Sequence, residues 1–444
     1  MPAHDLSLPL AEPVPAAPAR SRVRVPDRTA DVLVVAVSAY LLTAVGRVHQ
    51  LFPMLEPLRP AFIAGLVAIL IYLFDRRSER RLARLWTPPA QFLVALAAWM
   101  VLAVPGALVR ATSLELVFDN FLKTAVMFFV IAGAARGLRD VERLAVSYFA
   151  AAVVYAAVVI ARFDVGSGEA WRLGHLYYYD ANDFATFAVT AMPIGLYAVV
   201  RARTAVARFV AGAALALLAL VFVWTGSRGG FVALVAVSIY VVLRYRAVPF
   251  AWRLAGTTMV GLVVIVGASD RYWAQMETIL SEDDYNRTAE TGRFQIWGRG
   301  MEYALSHPLL GVGPANFPAA EGMLSPHASR QQLGVGVRWN AAHNSFLQVA
   351  AEVGLPGLVF CAGMFAATFL MLGRASRRAQ RRSRDRRVPQ MAQALTASLV
   401  GFIVGGFFLS LAYSEMLYTL LALAVALDKV TRMDASPAGD TTHA

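Results

Sequence analysis

Long apolar stretches alternate with short charged segments along most of this chain. Each stretch is bounded by charged residues or by Pro and Gly, and most approach the ~20 residues that a helix needs to cross a bilayer. The stretches lie at about 31–46, 60–74, 89–108, 117–135, 144–161, 184–200, 209–225, 229–243, 254–268, 346–373, 391–412 and 415–428. This pattern predicts an all-α integral membrane protein with about twelve transmembrane helices.

The composition supports a membrane protein. Of the 444 residues, 58% are hydrophobic and only 16% are charged, with a mean hydropathy of +0.55. Soluble domains are about 25% charged. The net charge of +12 comes from basic clusters between apolar stretches, which argues against a nucleic-acid partner. Cys361 is the single cysteine, which excludes an intramolecular disulfide and a cysteine-based metal cluster.

The distribution of basic residues predicts the topology. Most of the 41 Lys and Arg residues fall in alternate connections, with the densest cluster at Arg374–Arg387. By the positive-inside rule, both termini are then cytoplasmic. The predicted organisation is a disordered tail at 1–30, transmembrane helices 1–9 in 31–268, a long external loop at 269–340, transmembrane helices 10–12 in 341–428, and a second tail at 429–444.

The long external loop is predicted to contain an amphipathic helix. Phe294, Trp297, Met301 and Leu305 recur at helical spacing, Thr291 could cap the start, and the run ends at His307-Pro308. Such a helix would lie on the membrane or cover a cavity. A shorter external loop at 162–183 is rich in tyrosine.

Arg228 lies in a Gly-Ser-Arg-Gly-Gly segment between two apolar stretches with almost no loop to spare. An arginine at such a junction is unfavourable near lipid unless it faces water, a counter-charge or an anionic ligand. Either Arg228 snorkels or caps a helix, or its guanidinium binds a phosphate while the flanking glycines let the ligand approach the backbone.

Arg293 and His343 are the other two prominent candidates. Arg293 lies at the start of the amphipathic helix, where the helix dipole favours an anion; the alternative is an ordinary interfacial arginine. Asn344 or Ser345 can act as an N-cap, which places His343 beside a helix N-terminus and favours a neutral imidazole that could accept a proton. The alternative for His343 is a hydrogen-bonded interface histidine.

Other polar residues are weaker candidates. Asn182 and Asp183 begin an apolar stretch, and a capping role for Asp183 is the simpler interpretation. The acidic run at 281–284 could bind a divalent cation, although such runs are usually solvated. Gly311-Val312-Gly313-Pro314 is predicted to form a turn, since neither a strand before it nor a lysine after it supports a nucleotide loop. No metal site is predicted.

Taken together, these motifs resemble the O-antigen ligase and Wzy-type polymerase superfamily. The resemblance covers about residues 180–360 and rests on Asn182-Asp183-Phe184-Ala185, Ser227-Arg228-Gly229-Gly230, Gly292-Arg293-Phe294, Gly311-Val312-Gly313-Pro314-Ala315-Asn316-Phe317, His343-Asn344-Ser345-Phe346-Leu347 and the segment from Glu352 to Gly357.

The resemblance implies a membrane-embedded, GT-C-like glycosyltransferase of the bacterial inner membrane that works on the periplasmic side without metal or other cofactor. It would transfer a glycan from undecaprenyl diphosphate to an acceptor hydroxyl on lipid A core, on another glycan or on a protein. By motif, Arg228 and Arg293 correspond to diphosphate-binding arginines and His343 to the catalytic base, with Asn344, Asp183 and Asn182 as accessory residues.

Two other classes of protein fit a chain with many membrane spans. A transporter of lipid-linked glycans predicts charges deep in several spans and short loops on both sides, whereas here the polar motifs gather around one long loop. A membrane scaffold requires neither His343 nor the two arginines. The sequence therefore favours an enzyme and leaves ligase, polymerase and protein oligosaccharyltransferase open.

Overall fold

The computed structural model describes residues 31–162, 172–173, 179–279, 281, 284–329, 340–382 and 385–434. Every regular element in these ranges is helical, which confirms an all-α membrane protein. The predicted tail at 1–30 lies outside the described residues, as do Tyr177 and Tyr178 of the tyrosine-rich loop.

The helices fall into those that coincide with the predicted apolar stretches and the shorter helices of the long loop. The first group comprises α1 (Val32–Val45), α2 (Met54–Phe74), α3 (Pro88–Gly106), α4 (Arg110–Ala134), α5 (Leu138–Arg162), α6 (Ala181–Arg201), α7 (Ala205–Trp224), α8 (Arg228–Arg244), α9 (Phe250–Gly267), α14 (Ser345–Arg382), α15 (Arg387–Gly406) and α16 (Glu415–Met433). The loop helices are α10 (Asp270–Glu277), α11 (Tyr285–Thr288), α12 (Arg293–Ser306) and α13 (Phe317–Met323).

Each of the twelve predicted apolar stretches coincides with a helix. Within the described ranges, nine helices are long and apolar enough to cross a membrane, and α1, α8 and α16 are the other three. Helix α16 extends five residues into the predicted tail at 429–444. It is less apolar because its last turns carry Asp428 and Lys429, which are buried against protein: Asp428 pairs with Arg432 at 2.8 Å, and Lys429 donates to the Gly133 carbonyl oxygen at 2.9 Å.

Burial separates central helices from lipid-facing ones. In the most apolar part of α6, 78% of the residues are buried inside the protein, whereas in α2 and α9 the share is 11%. Helix α16 is buried along nearly its whole length. Helix α15 packs against both α6 and α8, and α14 packs against α3. The start of α8 therefore lies beside the protein core, while α9 faces lipid.

Helix α15 ends earlier than the sequence predicts. The apolar stretch continues to residue 412, but the helix ends at Gly406 and residues 407–414 form a turn-rich segment. Ser345 stabilises this segment: its Oγ donates to the Leu409 carbonyl oxygen at 2.7 Å and accepts from the Leu411 N–H at 2.9 Å. A glycine pair weakens the helix, and the hydroxyl then supplies partners for the backbone groups that leave it.

The described part of the long loop is folded and has its own small apolar cluster, which includes Ile296, Tyr303 and Phe317. Beside it, the buried Arg299 guanidinium donates to both carboxylate oxygens of Glu321 at 2.8 and 2.6 Å. The amphipathic helix is α12, and it ends before His307 as expected. The prediction that Thr291 caps it is wrong, because Gly292 occupies the N-cap position without a side-chain hydrogen bond.

Candidate functional site: an arginine cluster beside His343

Arg228 begins α8 and extends toward the long loop. Ser227 caps the helix by accepting from the Gly230 N–H at 3.1 Å. The Arg228 guanidinium donates to Thr278 Oγ1 at 2.7 Å and to the carboxylate of Asp284. Its Cζ lies 5.4 Å from the centre of the Tyr285 ring. The junction between α7 and α8 thus places Arg228, paired with Asp284, next to the start of α11.

The glycines after Arg228 serve the packing of the protein. A Cβ at Gly229 would lie 2.8 Å from Phe408 Cβ, and a Cβ at Gly230 would lie 2.7 Å from Ala185 Cβ. Real Cβ atoms essentially never approach so closely. The idea that both glycines leave space for a ligand is therefore wrong: α6 and the segment after α15 already occupy that space.

Arg293 is the first residue of α12 and is half-buried. Burial, together with the nearby charges of Arg228 and Arg172, lowers its pKa below the usual value, although Tyr285 and Asp180 act in the opposite direction. Among the described residues, its side chain has no hydrogen bond or ion pair. Arg293 is therefore a cation at a helix N-terminus that can accept an anionic partner.

Arg172 is a third arginine at this place, and the sequence analysis did not single it out. Its Nε donates to the Thr225 carbonyl oxygen at 2.6 Å, and its Nη2 donates to Asn182 Oδ1 at 3.0 Å. Burial lowers the pKa of Arg172, Asp180 and Tyr285 act in the opposite direction, and the charge of Arg228 lowers the pKa further. The only sequence signal was a basic residue in the short tyrosine-rich loop. We refer to Arg172, Arg228 and Arg293 as the arginine cluster.

Carboxylates border the arginine cluster. Although burial alone would raise it, the pKa of Asp284 lies below its usual value because Asn286 and Arg228 donate to the carboxylate. Asp180 caps α6 by accepting from the Asn182 and Asp183 N–H groups at 2.7 and 2.8 Å. Asp183 completes a capping box with the Asp180 N–H. Asp183 thus has the capping role, and Asn182 holds Arg172.

His343 lies in the turn before α14. Its φ of 47° is in the left-handed region, which is uncommon for residues other than glycine but less so for histidine. The His343 N–H donates to Ser410 Oγ at 2.9 Å. Asn344 caps α14 by accepting from the Phe346 and Leu347 N–H groups at 3.0 and 3.1 Å. His343 is half-buried and directly precedes the positive end of a long helix.

Shared neighbours connect His343 to the arginine cluster. The Trp297 indole N–H donates to the Ala342 carbonyl oxygen at 3.1 Å. The Trp297 ring lies 5.3 Å from the Phe407 ring and 6.4 Å from the Phe408 ring, between ring centres. Phe408 in turn packs against Gly229 at the start of α8. The sequence offered no signal for this role of residues 407–410, because they continue an apolar stretch.

The segment from Gly311 to Phe317 forms a turn, as predicted, and this turn is held by a residue of α14. The buried Glu352 carboxylate accepts from the Ala315 N–H at 3.0 Å and from the Phe317 N–H at 3.2 Å. Gly354 has a φ of 78° and interrupts α14, so that the Leu355 N–H donates to the Pro308 carbonyl oxygen at 2.8 Å. Glu352 and Gly354 therefore fix the long loop on α14.

The described part of the chain contains no group of three His, Cys, Asp or Glu residues arranged to hold a metal ion. Within the acidic run, Asp284 pairs with Arg228, whereas Glu282 and Asp283 lie outside the described residues. The cationic groups that the structure brings together here are arginine side chains.

Comparison with known proteins shows a family similarity over part of the chain. Residues 213–362 match the family model described as O-antigen ligase. The match includes Arg228, Arg293 and His343, and it leaves Arg172 outside. No curated protein matches the chain. Residues 213–362 are thus similar to the O-antigen ligase family, and the resemblance of this chain to the O-antigen ligase and Wzy-type polymerase family is confirmed.

Proposed function

We propose that this protein is a membrane-embedded glycosyltransferase of the GT-C-like type, with about twelve membrane spans. It transfers a glycan from undecaprenyl diphosphate to an acceptor hydroxyl on the periplasmic side of the bacterial inner membrane. Ligation of O-antigen to lipid A core is the leading assignment. Polymerisation of O-antigen or exopolysaccharide, and transfer to a protein, are the alternatives within the same chemistry.

The observation that carries the proposal is the arginine cluster. Arg172, Arg228 and Arg293 come from three separate segments and lie close enough for their charges to act on one another, and the Arg293 side chain has no ion pair among the described residues. Bringing like charges together is unfavourable unless an anion joins them, and Asp180 and Asp284 balance them only in part. A diphosphate fits because guanidinium groups bind its oxygens through paired donors.

The reaction follows from this placement. The acceptor hydroxyl oxygen forms a bond to the anomeric carbon of the donor sugar while the bond from that carbon to the diphosphate oxygen breaks. The hydroxyl proton goes to the neutral imidazole of His343, and the bonding electrons go to the departing diphosphate. The arginine cluster stabilises that charge as it grows toward the transition state.

The position of His343 supports its role as the base. It lies in the turn that directly precedes the N-terminus of α14, and its N–H donates to Ser410 Oγ at 2.9 Å, which fixes the main chain at this position. The contacts of Trp297 with Ala342, Phe407 and Phe408 connect it to both Arg293 and Arg228. A histidine with only a structural role would not need this connection to a cluster of cations.

The test is turnover by the purified protein in nanodiscs. The donor is a glycan on undecaprenyl diphosphate, and the acceptors are lipid A core, a free glycan and a peptide, each in excess chelator without nucleotide. We expect release of undecaprenyl diphosphate and a product with one of the three acceptors, which identifies the subclass. Activity that requires added magnesium or manganese would contradict the arginine model. In sealed proteoliposomes, movement of intact donor across the membrane without transfer would instead indicate a transporter.

A further inference from the structure

A groove runs between α7 and α9 on the lipid-facing side of the protein. Its volume is about 660 Å³, and its walls are apolar: Ala213, Ala216 and Leu220 from α7, with Leu262, Val266 and Gly267 from α9. Val266 is 83% exposed and Leu262 is 55% exposed, so the groove opens toward the bilayer. Small residues at 213, 216 and 267 create the space between the two helices.

The groove rises toward the arginine cluster along both walls. Leu220 precedes Thr225 by five residues, about 7.5 Å along a helix, and the Thr225 carbonyl oxygen accepts from Arg172. On the other wall, Gly267 ends α9, and α10 follows directly and leads to Thr278, which accepts from Arg228. The polar partners at the upper ends of both walls are therefore arginines of the cluster.

We propose that this groove holds the first isoprene units of the lipid donor while the diphosphate binds to the arginine cluster. The proposal rests on the proposed function, since it requires a donor with an anionic head and a hydrocarbon chain. The occupant must satisfy both places at once, and a prenyl diphosphate has its chain attached directly to the anion.

The groove acts through shape. Bilayer tails are as apolar as the groove walls, so transfer of a chain from lipid into the groove gains little from the hydrophobic effect. What the groove contributes is close contact along the first units and a fixed direction for the chain as it leaves the diphosphate. A bulky side chain that fills the upper end would block that path without touching the arginines.

Gly267 is the best position for such a side chain. A Cβ there would lie 3.1 Å from Leu220 Cδ1, at the head of the groove, and its backbone is not in the left-handed region. Gly267→Leu and Ala216→Leu fill the groove from opposite walls. Gly261→Leu is the matched control, because Gly261 lies on the same helix, outside the groove lining, and a Cβ there meets nothing within 4 Å.

The experiment compares kcat/KM for two donors with the same glycan diphosphate: a long-chain donor with an undecaprenyl chain, and a chainless donor with a methyl group in its place. With the long-chain donor, kcat/KM of both groove variants should fall about tenfold or more, which corresponds to the loss of roughly ten close atom contacts. With the chainless donor, kcat/KM should stay at the wild-type value. Gly261→Leu should resemble the wild type with both donors.

The contrary outcomes separate the two proposals. Equal loss with both donors, or no loss with either, at unchanged melting temperature would overturn the groove and assign it to an ordinary phospholipid chain. Should the wild type use only the long-chain donor, a difference between Gly267→Leu and Gly261→Leu with that donor supports the groove, and equality overturns it. A wild type inactive with both donors would overturn the proposed function, and the groove with it.

Discussion

The indole N–H of Trp297 donates to the main-chain oxygen of Ala342 at 3.1 Å, and this bond joins the helix that begins at Arg293 to the turn that contains His343. Two motifs that lie about fifty residues apart in the chain are thereby held in one place. The contact also explains why Trp297, which the sequence pattern assigns only to the apolar face of an amphipathic helix, lies inward on the Phe407 and Phe408 rings.

Replacing Trp297 by Phe should lower kcat more than it changes KM for the donor. The variant keeps a ring against Phe407 and loses only the N–H, and a net hydrogen bond of about 1 kcal/mol corresponds to roughly fivefold in rate. Steady-state kinetics of the purified variant measure kcat and KM separately, and the melting temperature is the control for folding. A loss confined to donor affinity would show that Trp297 does not position His343.

His343→Ala should separate chemistry from binding. Removal of a general base lowers the rate by about 10²–10⁴, and donor affinity should stay near that of the wild type. Arg293→Ala should weaken donor binding as well as rate, because its contact with diphosphate exists in both the ground and transition states. Lysine in place of Arg228 or Arg293 should restore donor binding and rate only in part, because lysine keeps the charge but lacks the planar pair of N–H donors.

Donor affinity and single-turnover rate in nanodiscs provide the measurement for this comparison. If His343→Ala keeps near-normal turnover, His343 is not the base. If it loses donor binding as completely as Arg293→Ala, it belongs with the diphosphate ligands.

Arg172→Ala should weaken donor binding by about tenfold or more, the effect of removing one charge-assisted hydrogen bond to the diphosphate. Asn182→Ala is the matched control. It removes one neutral acceptor from Arg172, which the Thr225 carbonyl oxygen still holds at 2.6 Å, so its effect should be much smaller. Titration with undecaprenyl diphosphate distinguishes the two. Equal losses would mean that Asn182 acts on the donor directly or that Arg172 has only a structural role.

The orientation of the chain predicts opposite behaviour of two reporter fusions. Alkaline phosphatase joined at residue 320 should be active, because the distribution of basic residues predicts that the long loop faces the periplasm, and a fluorescent protein at residue 383 should fluoresce in the cytoplasm. Expression of each fusion is checked by immunoblot. An inactive phosphatase at residue 320 would place the arginine cluster on the wrong side for a periplasmic transfer.

Gly354→Ala should destabilise the protein by about 2 kcal/mol or more. The φ of 78° is unfavourable for alanine by roughly 1–2 kcal/mol, and the added Cβ would lie 2.1 Å from the Leu309 carbonyl oxygen. Gly373→Ala on the same helix is the control: its Cβ meets nothing closer than 3.7 Å, and alanine favours a helix. Thermal unfolding in detergent compares the two variants. Equal melting temperatures would contradict the left-handed backbone conformation of Gly354 at the interruption of α14.

Hydrophobic patterning alone was enough to predict the membrane helices and the helix at Arg293, because each depends on local periodicity and length. The caps at Asn344 and the end of α12 before His307 were equally local. The local sequence context singled out Arg228, Arg293 and His343, and the resemblance then implied the role of each.

Tertiary packing decided the rest. Nothing in the short tyrosine-rich loop distinguishes Arg172 until the chain brings it against Thr225 and Arg228. Likewise, Gly229 and Gly230 suit a ligand or a neighbouring helix equally well in the sequence, and only the approach of Phe408 and Ala185 shows which of these fills the space. The physical reason is that the helices form through interactions between residues close together in the chain. A site is built from residues that are far apart in the chain, and only the packing of the helices brings them together.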